Sequence, residues 1–323
     1  MAPIGNPLPP PCPPRAGEAF REICALALLW VILWALAPGC ASSLPRKDPR
    51  YQPAENLLDI LADFQHHLSD DTYRYEPPQD ITGKNIYRAT LLRLESYEKA
   101  NPNSLKPIVF FSRAKALERL RDYGGAMRNY RPLTQVDSKL KEQAEKGLKT
   151  CQEFQEARSF SLEKHSLQDH LTEIEKKRTR WRDLVEKYSG TPYESLAREE
   201  EERVDQERVL FLEDHRRSLQ DGDAMILLAH QEIINKHAQS KKIDEHLLGL
   251  ADFYFSLAKE YVQEHDPTGA GFDAHIFNQY ANSALQIYAT LARARYGKPE
   301  RLEAKGKLEA LRAFVDKTVG QAN

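Results

Sequence analysis

The stretch Arg113-Ala114-Lys115-Ala116-Leu117-Glu118-Arg119-Leu120-Arg121-Asp122-Tyr123-Gly124-Gly125-Ala126-Met127-Arg128-Asn129-Tyr130 decides the fold. Apolar positions recur at helical spacing up to Leu120, break at Asp122-Tyr123-Gly124, and resume through Ala126 and Tyr130. So short a turn forces the two helices to lie antiparallel. Outward from this hairpin the same period covers nearly everything after Ala54, and no convincing two-residue alternation appears. Leu57, Leu58, Leu61, Phe64 and Leu68 form one stripe; Ile86, Ala89, Leu92 (or Leu91), Leu94 and Tyr97 form a second, stopped by Asn101-Pro102-Asn103. Helices are expected at about 108–120, from 125 onward, and at 139–158, 161–188, 192–219, 223–238, 243–264, 273–295 and 299–318. The fold class is all-α, built of antiparallel helical hairpins. Only the glycine-bearing stretch His265 to Gly271 reads as a long loop.

Ala114, Leu117, Tyr123, Ala126 and Tyr130 together resemble a tetratricopeptide repeat. In that family small residues let paired helices approach closely, and an aromatic in the second helix fills the gap between them. The resemblance gives the close-contact role to Ala114 and Ala126 and the plug to Tyr130. Leu133 and Ser138 depart from the family, standing where Ala and Pro are usual. Trp181…Tyr188-Ser189-Gly190-Thr191-Pro192…Ala197 and Tyr288…Tyr296-Gly297-Lys298-Pro299…Ala304 also resemble each other. In both, Pro is read as opening the next helix. This pattern is similar to the degenerate repeats of the helical lipoprotein subunit that serves outer-membrane β-barrel assembly, and it implies a TPR-like α-solenoid.

The N-terminal region carries a different signal. An apolar run from Ile23 to Ala37, preceded by Arg15 and Arg21, ends at Pro38-Gly39-Cys40 and is followed by Ala41-Ser42-Ser43. The run falls short of the ~20 residues that span a bilayer and has the length of a signal-peptide core. Leu36 to Cys40 resembles a bacterial lipoprotein signal, with Gly39 matching and Ala37 and Pro38 departing from the family pattern. The resemblance implies lipidation of Cys40, with palmitate among the acyl chains. The alternative is an uncleaved anchor helix; both export the body. The same resemblance implies, from Ala41 where inner-membrane lipoproteins commonly carry Asp, an outer-membrane anchor and a periplasm-facing body, with inner-membrane anchoring as the alternative. The expected organisation is a signal peptide at 1–39, a lipidated tether at 40–54, an N-terminal TPR-like domain at 55–160 and a C-terminal helical-repeat domain at 161–323.

Composition narrows the function. The 46 basic and 48 acidic residues give a net charge of −2, which leaves no electrostatic footprint for nucleic acid. Once residues 1–39 are removed, Cys40 and Cys151 remain of the four cysteines, so no internal disulfide is expected beside a lipidated Cys40. Cys151 shares an apolar stripe with Leu148 and Phe154, where cysteine acts as a small hydrophobe.

No motif for catalysis emerges. His66-His67 lie beside Asp70-Asp71, His165 and His170 are five residues apart, and His230 and His237 are two turns apart; none has the one-turn spacing of a zinc helix. His265, Asp273 and His275 flank the glycine loop and form a weak candidate metal set, against a plainer reading in which Asp273 caps the next helix. Thr82-Gly83-Lys84 lacks the upstream glycine of a phosphate loop. Glu199 to Glu202 with Arg198, Arg203 and Arg208 reads as a solvated face, with Glu199 and Arg203 worth about 0.2–0.5 kcal/mol. Tyr254, Tyr261, Phe277, Tyr280 and Tyr288, with Phe253, Phe255 and Phe272 nearby, are more aromatic surface than one stripe needs. They are the candidate lining of a partner groove.

The expected function is therefore a lipid-anchored envelope scaffold or adaptor that binds an envelope protein or peptide without catalysis and without a cofactor. The alternatives are an envelope enzyme or a metal- or ligand-binding lipoprotein centred on the His265–His275 loop, and a plain structural spacer.

Overall fold

Proline opens the first helix, where its missing N–H costs nothing, and Leu57, Ile60 and Phe64 bury one stripe of it. This helix, α1 (Pro53–Asp70), is the first in a computed structural model that describes residues 52–70, 85–163, 166–293 and 299–322. Ten more α-helices follow among the described residues: α2 (Asn85–Ala100), α3 (Lys106–Arg119), α4 (Tyr123–Thr134), α5 (Lys141–Ser159), α6 (Leu167–Lys187), α7 (Glu194–Asp214), α8 (Gly222–Lys236), α9 (Ile243–Glu264), α10 (Ala274–Arg293) and α11 (Pro299–Ala322). A 3₁₀ turn, Arg216–Ser218, separates α7 from α8. The described chain is all-helical, with no strand. None of its helices is long and apolar enough to cross a membrane.

Local chemistry sets the helix ends. The Asn101 side chain donates to the Tyr97 carbonyl at 3.2 Å, and Asn103 takes a left-handed conformation that ends the α2 turn. The Asp122 carboxylate accepts from the Gly125 N–H at 2.7 Å, and Ser166 Oγ accepts from the Asp169 N–H at 3.2 Å, capping α4 and α6. Gly190 stands at φ 71° between α6 and α7, where a side chain would be strained. The expected role of Pro192 needs correction: it lies in the turn before α7, which begins at Glu194.

Consecutive helices pack on each other throughout the described chain, and the backbone contact two helices apart is largely α9 with α11. The apolar cores overlap in the same order. Leu57, Leu94, Tyr97 and Val109 join α1, α2 and α3, next to a small cluster of Phe64, Tyr87 and Ala116. The next core runs from Ala114 to Val204 through α3–α7 and continues on both sides of residue 160. A third joins α7, α8 and α9 through Leu212, Ile226 and Phe253, and the last joins α9, α10 and α11 around Phe277, Tyr288 and Leu311. Helix α3 contributes to three neighbouring clusters and α7 and α9 to two each, so each transmits packing from one hairpin to the next.

One contact exceeds simple neighbour stacking. The C-terminal half of α3 reaches the start of α7: Lys115 Nζ donates to Tyr193 Oη at 2.8 Å, and Arg119 donates to Ser195 Oγ at 3.2 Å. Arg121, just after α3, forms a two-point ion pair with Glu200. Helices α3 to α7 therefore close around a shared interior.

Candidate functional site

The hairpin that decided the fold is packed tightly. Ala114, Ala126, Tyr123 and Tyr130 are buried, and Leu117 is partly buried against them. The Tyr130 ring meets Phe111 edge-on at 5.7 Å and lies against Gly147 of α5, where an added Cβ would come within 2.6 Å of the ring. Glycine at 147 is thus required by close approach rather than by backbone angle. Tyr130 Oη donates to Glu118 Oε1 at 2.7 Å, Lys115 Nζ donates to Glu118 Oε2 at 3.0 Å, and Cys151 Sγ lies 3.6 Å from Glu118 Oε1.

The electrostatics make this cluster structural. Burial pushes the Cys151 thiol well above its ordinary range, and the Glu118 carboxylate adds to the shift. Thiolate chemistry is correspondingly suppressed. Burial alone would favour a neutral Lys115 amine, but Glu118 and Tyr193 outweigh it and hold the group above its ordinary value. Lys115 is thus a partly buried cation seated 4.4 Å from the Tyr193 ring centroid.

The charge run on α7 overturns its sequence reading as a solvated face. Glu200, Glu201, Glu202 and Asp205 are only 3–5 % exposed. Each meets partners from a different part of the chain. Glu200 faces Arg121 and accepts from Tyr123 Oη at 3.0 Å. Lys236 of α8 lies 2.7 Å from Glu201, and His246 of α9 lies 2.7 Å from Glu202. Asp205 accepts from Arg178 at 2.5 Å, His237 at 2.8 Å and Lys236 at 2.9 Å. Glu199 pairs with Lys241 at 2.8 Å. Helix α7 is enclosed on several sides, and Glu200, Glu201, Glu202 and Asp205 are buried where side chains from neighbouring elements reach them.

The remaining histidines are dispersed. His66 and His67 contact each other at 5.6 Å between ring centroids, while Asp71 and His165 lie outside the described residues, as do Cys40 and Thr82-Gly83-Lys84. His170 and His215 both stack on Phe211. His265 stacks on Tyr261 at 4.4 Å, and Asp273 Oδ1 accepts the His275 N–H at 2.8 Å, so that carboxylate caps α10. Tyr261 Oη accepts the Asp273 N–H at 2.8 Å and ties the loop back to α9. Among the described residues, no three His, Cys, Asp or Glu side chains gather as metal ligands.

The aromatic set divides by depth. Phe277 and Tyr288 are 1 % and 0 % exposed. As core residues they leave no surface for a partner, which corrects their place in the groove. Tyr288 Oη instead donates to Asp252 Oδ1 at 2.5 Å, and Lys307 Nζ donates to Asp252 Oδ2 at 2.7 Å. Tyr254, Tyr261 and Tyr280 are partly exposed, and Tyr254 and Tyr280 touch both C-terminal cores. Ile276 adds an exposed apolar side chain on α10. No protein-family model matches the sequence, and no curated protein matches it.

Proposed function

We propose that this protein is a lipid-anchored, non-catalytic scaffold of a bacterial cell envelope, whose stacked TPR-like hairpins hold a protein or peptide partner. The observation that carries the reading is the α3–α4 hairpin: Ala114 and Ala126 are both fully buried where the helices meet, and Tyr130 fills the space toward α5. That is the packing a tetratricopeptide-type unit needs, and the overlapping cores extend it along the chain. Partly exposed Tyr254, Tyr261 and Tyr280 on α9 and α10 supply the kind of aromatic surface enriched at protein interfaces. The resemblance of Ile23 to Cys40 to a lipoprotein signal supports the anchor, with Cys40 bearing the lipid and the outer membrane as the site of attachment.

Mass spectrometry of the chain extracted from envelopes in detergent tests the anchor. The expected product begins at Cys40 and carries acyl chains on that residue; a chain that retains residues 1–39 or bears an unmodified Cys40 overturns it. Affinity purification of the same extract after chemical crosslinking tests the scaffold. One envelope protein is expected to accompany the chain in constant ratio, and a chain recovered alone contradicts the reading.

A further inference from the structure

The net charge of −2 conceals a segregation. Between Ser104 and Lys141 the chain carries nine basic residues against three acidic ones, Glu118, Asp122 and Asp137. Within this stretch Arg113, Lys115 and Arg121 are paired with Glu98, Glu118 and Glu200. Lys106, Arg131, Lys139 and Lys141 are exposed, and among the described residues none of the four sits in an ion pair.

Antiparallel packing collects these four residues at one end of the first five helices. Leu57 of α1, Leu94 and Tyr97 of α2 and Val109 of α3 share one cluster, whereas Phe64, Tyr87 and Ala116 share another. The start of α1, the turn after α2 and the start of α3 therefore lie at the same end. In the next hairpins Tyr130 meets Phe111 of α3 and Gly147 of α5, while Tyr123 meets Phe154 of α5. That register brings the α4–α5 turn to the same end, with residue 136 level with residue 105. Both positions expose an apolar side chain, Leu105 at 38 % and Val136 at 47 %. Leu105 also stands at φ 49°, a left-handed conformation that strains a leucine. Helices α3 and α5 begin here without a side-chain cap, so their positive ends add to the lysines. The acidic groups at this end are Glu55, Asp137, Glu95 and Glu142, of which Glu95 and Glu142 are paired with Lys99 and Lys146.

We propose that this end is a membrane-contact surface for anionic phospholipid. Lys106, Arg131, Lys139 and Lys141 meet the headgroup phosphates, and Leu105 and Val136 enter the boundary between headgroups and acyl chains. The course of the chain points to that occupant, because it enters α1 at Pro53, at this same end and thirteen residues beyond Cys40. The inference rests on the proposed lipid anchor for the direction of the bilayer. Thirteen extended residues reach at most about 45 Å, so a body tethered there stays near the headgroups. One lipidated residue leaves that body free to reorient; a basic end with apolar tips fixes which side it turns to the bilayer.

The test uses the full chain carrying C40S, which cannot be acylated, mixed with vesicles of phosphatidylcholine alone or of phosphatidylcholine with phosphatidylglycerol. Hydrogen exchange in residues 101–106 and 135–141 is expected to slow on the anionic vesicles and not on the neutral ones. The α3–α4 turn, at the opposite end, serves as the reference and is expected to exchange alike on both. K106Q combined with K139Q and K141Q, all exposed positions, is expected to remove the protection, since each lysine near the surface is worth about fivefold in its occupancy. L105G relieves the left-handed strain, so Tm is expected to hold or rise while protection of 135–141 falls. Equal protection on both vesicles, or protection that survives the triple variant, overturns the surface. The same protection produced by soluble polyglutamate without vesicles also overturns it and assigns the end to an acidic protein. Acylation is read separately by mass: an unmodified Cys40 in the native chain refutes the anchor alone, because C40S carries no lipid in either vesicle.

Discussion

Trp181→Ala is expected to lower stability by about 3–5 kcal/mol, the cost of removing a buried indole and leaving its volume unfilled. Trp181 is 1 % exposed and sits in the core that joins α3 to α7. Its ring meets Phe154 edge-on at 5.2 Å, and Phe154 in turn meets Tyr123 at 5.5 Å and Tyr188 at 5.6 Å. Such edge-on pairs add about 0.5–1.5 kcal/mol each beyond the area they bury. The substitution removes the α6 side of this aromatic chain, so α5 and α6 lose the contact that compensates for their sparse backbone approach. A denaturation midpoint lowered without a change in slope is the expected reading; a loss under about 1 kcal/mol places Trp181 at a site that relaxes freely.

Arg121→Ala is expected to cost about 3 kcal/mol, because it leaves the Glu200 carboxylate buried without its cation. Arg121 is a quarter exposed, which keeps the loss at the lower end of the range for buried pairs. Tyr123 Oη remains as a donor to Glu200 but carries no charge. The double variant Arg121→Ala with Glu200→Gln is expected to recover a large part of the loss, since the remaining amide is neutral. Urea unfolding of both variants distinguishes this from lost packing of the arginine stem: stem packing predicts no recovery in the double variant.

The helices were legible in the sequence because most of them bury a single apolar stripe. The expected 243–264 coincides with α9, and 223–238 with α8 to within two residues at each end. The α3–α4 hairpin was legible for a further reason: small residues and an aromatic at fixed offsets specify how closely two helices approach. The burial of α7 was not legible. Glu199 to Glu202 has the local pattern of a solvated face, and the partners that draw it inward, Arg121, Lys236, Lys241 and His246, come from distant elements. One signal was present. Between Ala197 and Leu212 the helix offers few apolar residues to bury, with Val204 and Val209 standing among charges. A helix packed on several sides with so thin a stripe must bury some of its charges. The aromatic set shows the same limit, because spacing identified the cluster but not which rings, Phe277 and Tyr288, lie beneath the surface.

Site-specific photocrosslinking in living cells tests the scaffold most directly. A photoreactive residue is placed in turn at Tyr254, Tyr261, Tyr280 and Ile276, and at the exposed Leu58 on α1 as a reference. The account predicts that the α9–α10 positions capture one and the same envelope protein, at higher yield than Leu58. Absence of any adduct from the four α9–α10 positions, in a chain that is folded and localised to the envelope, would contradict it.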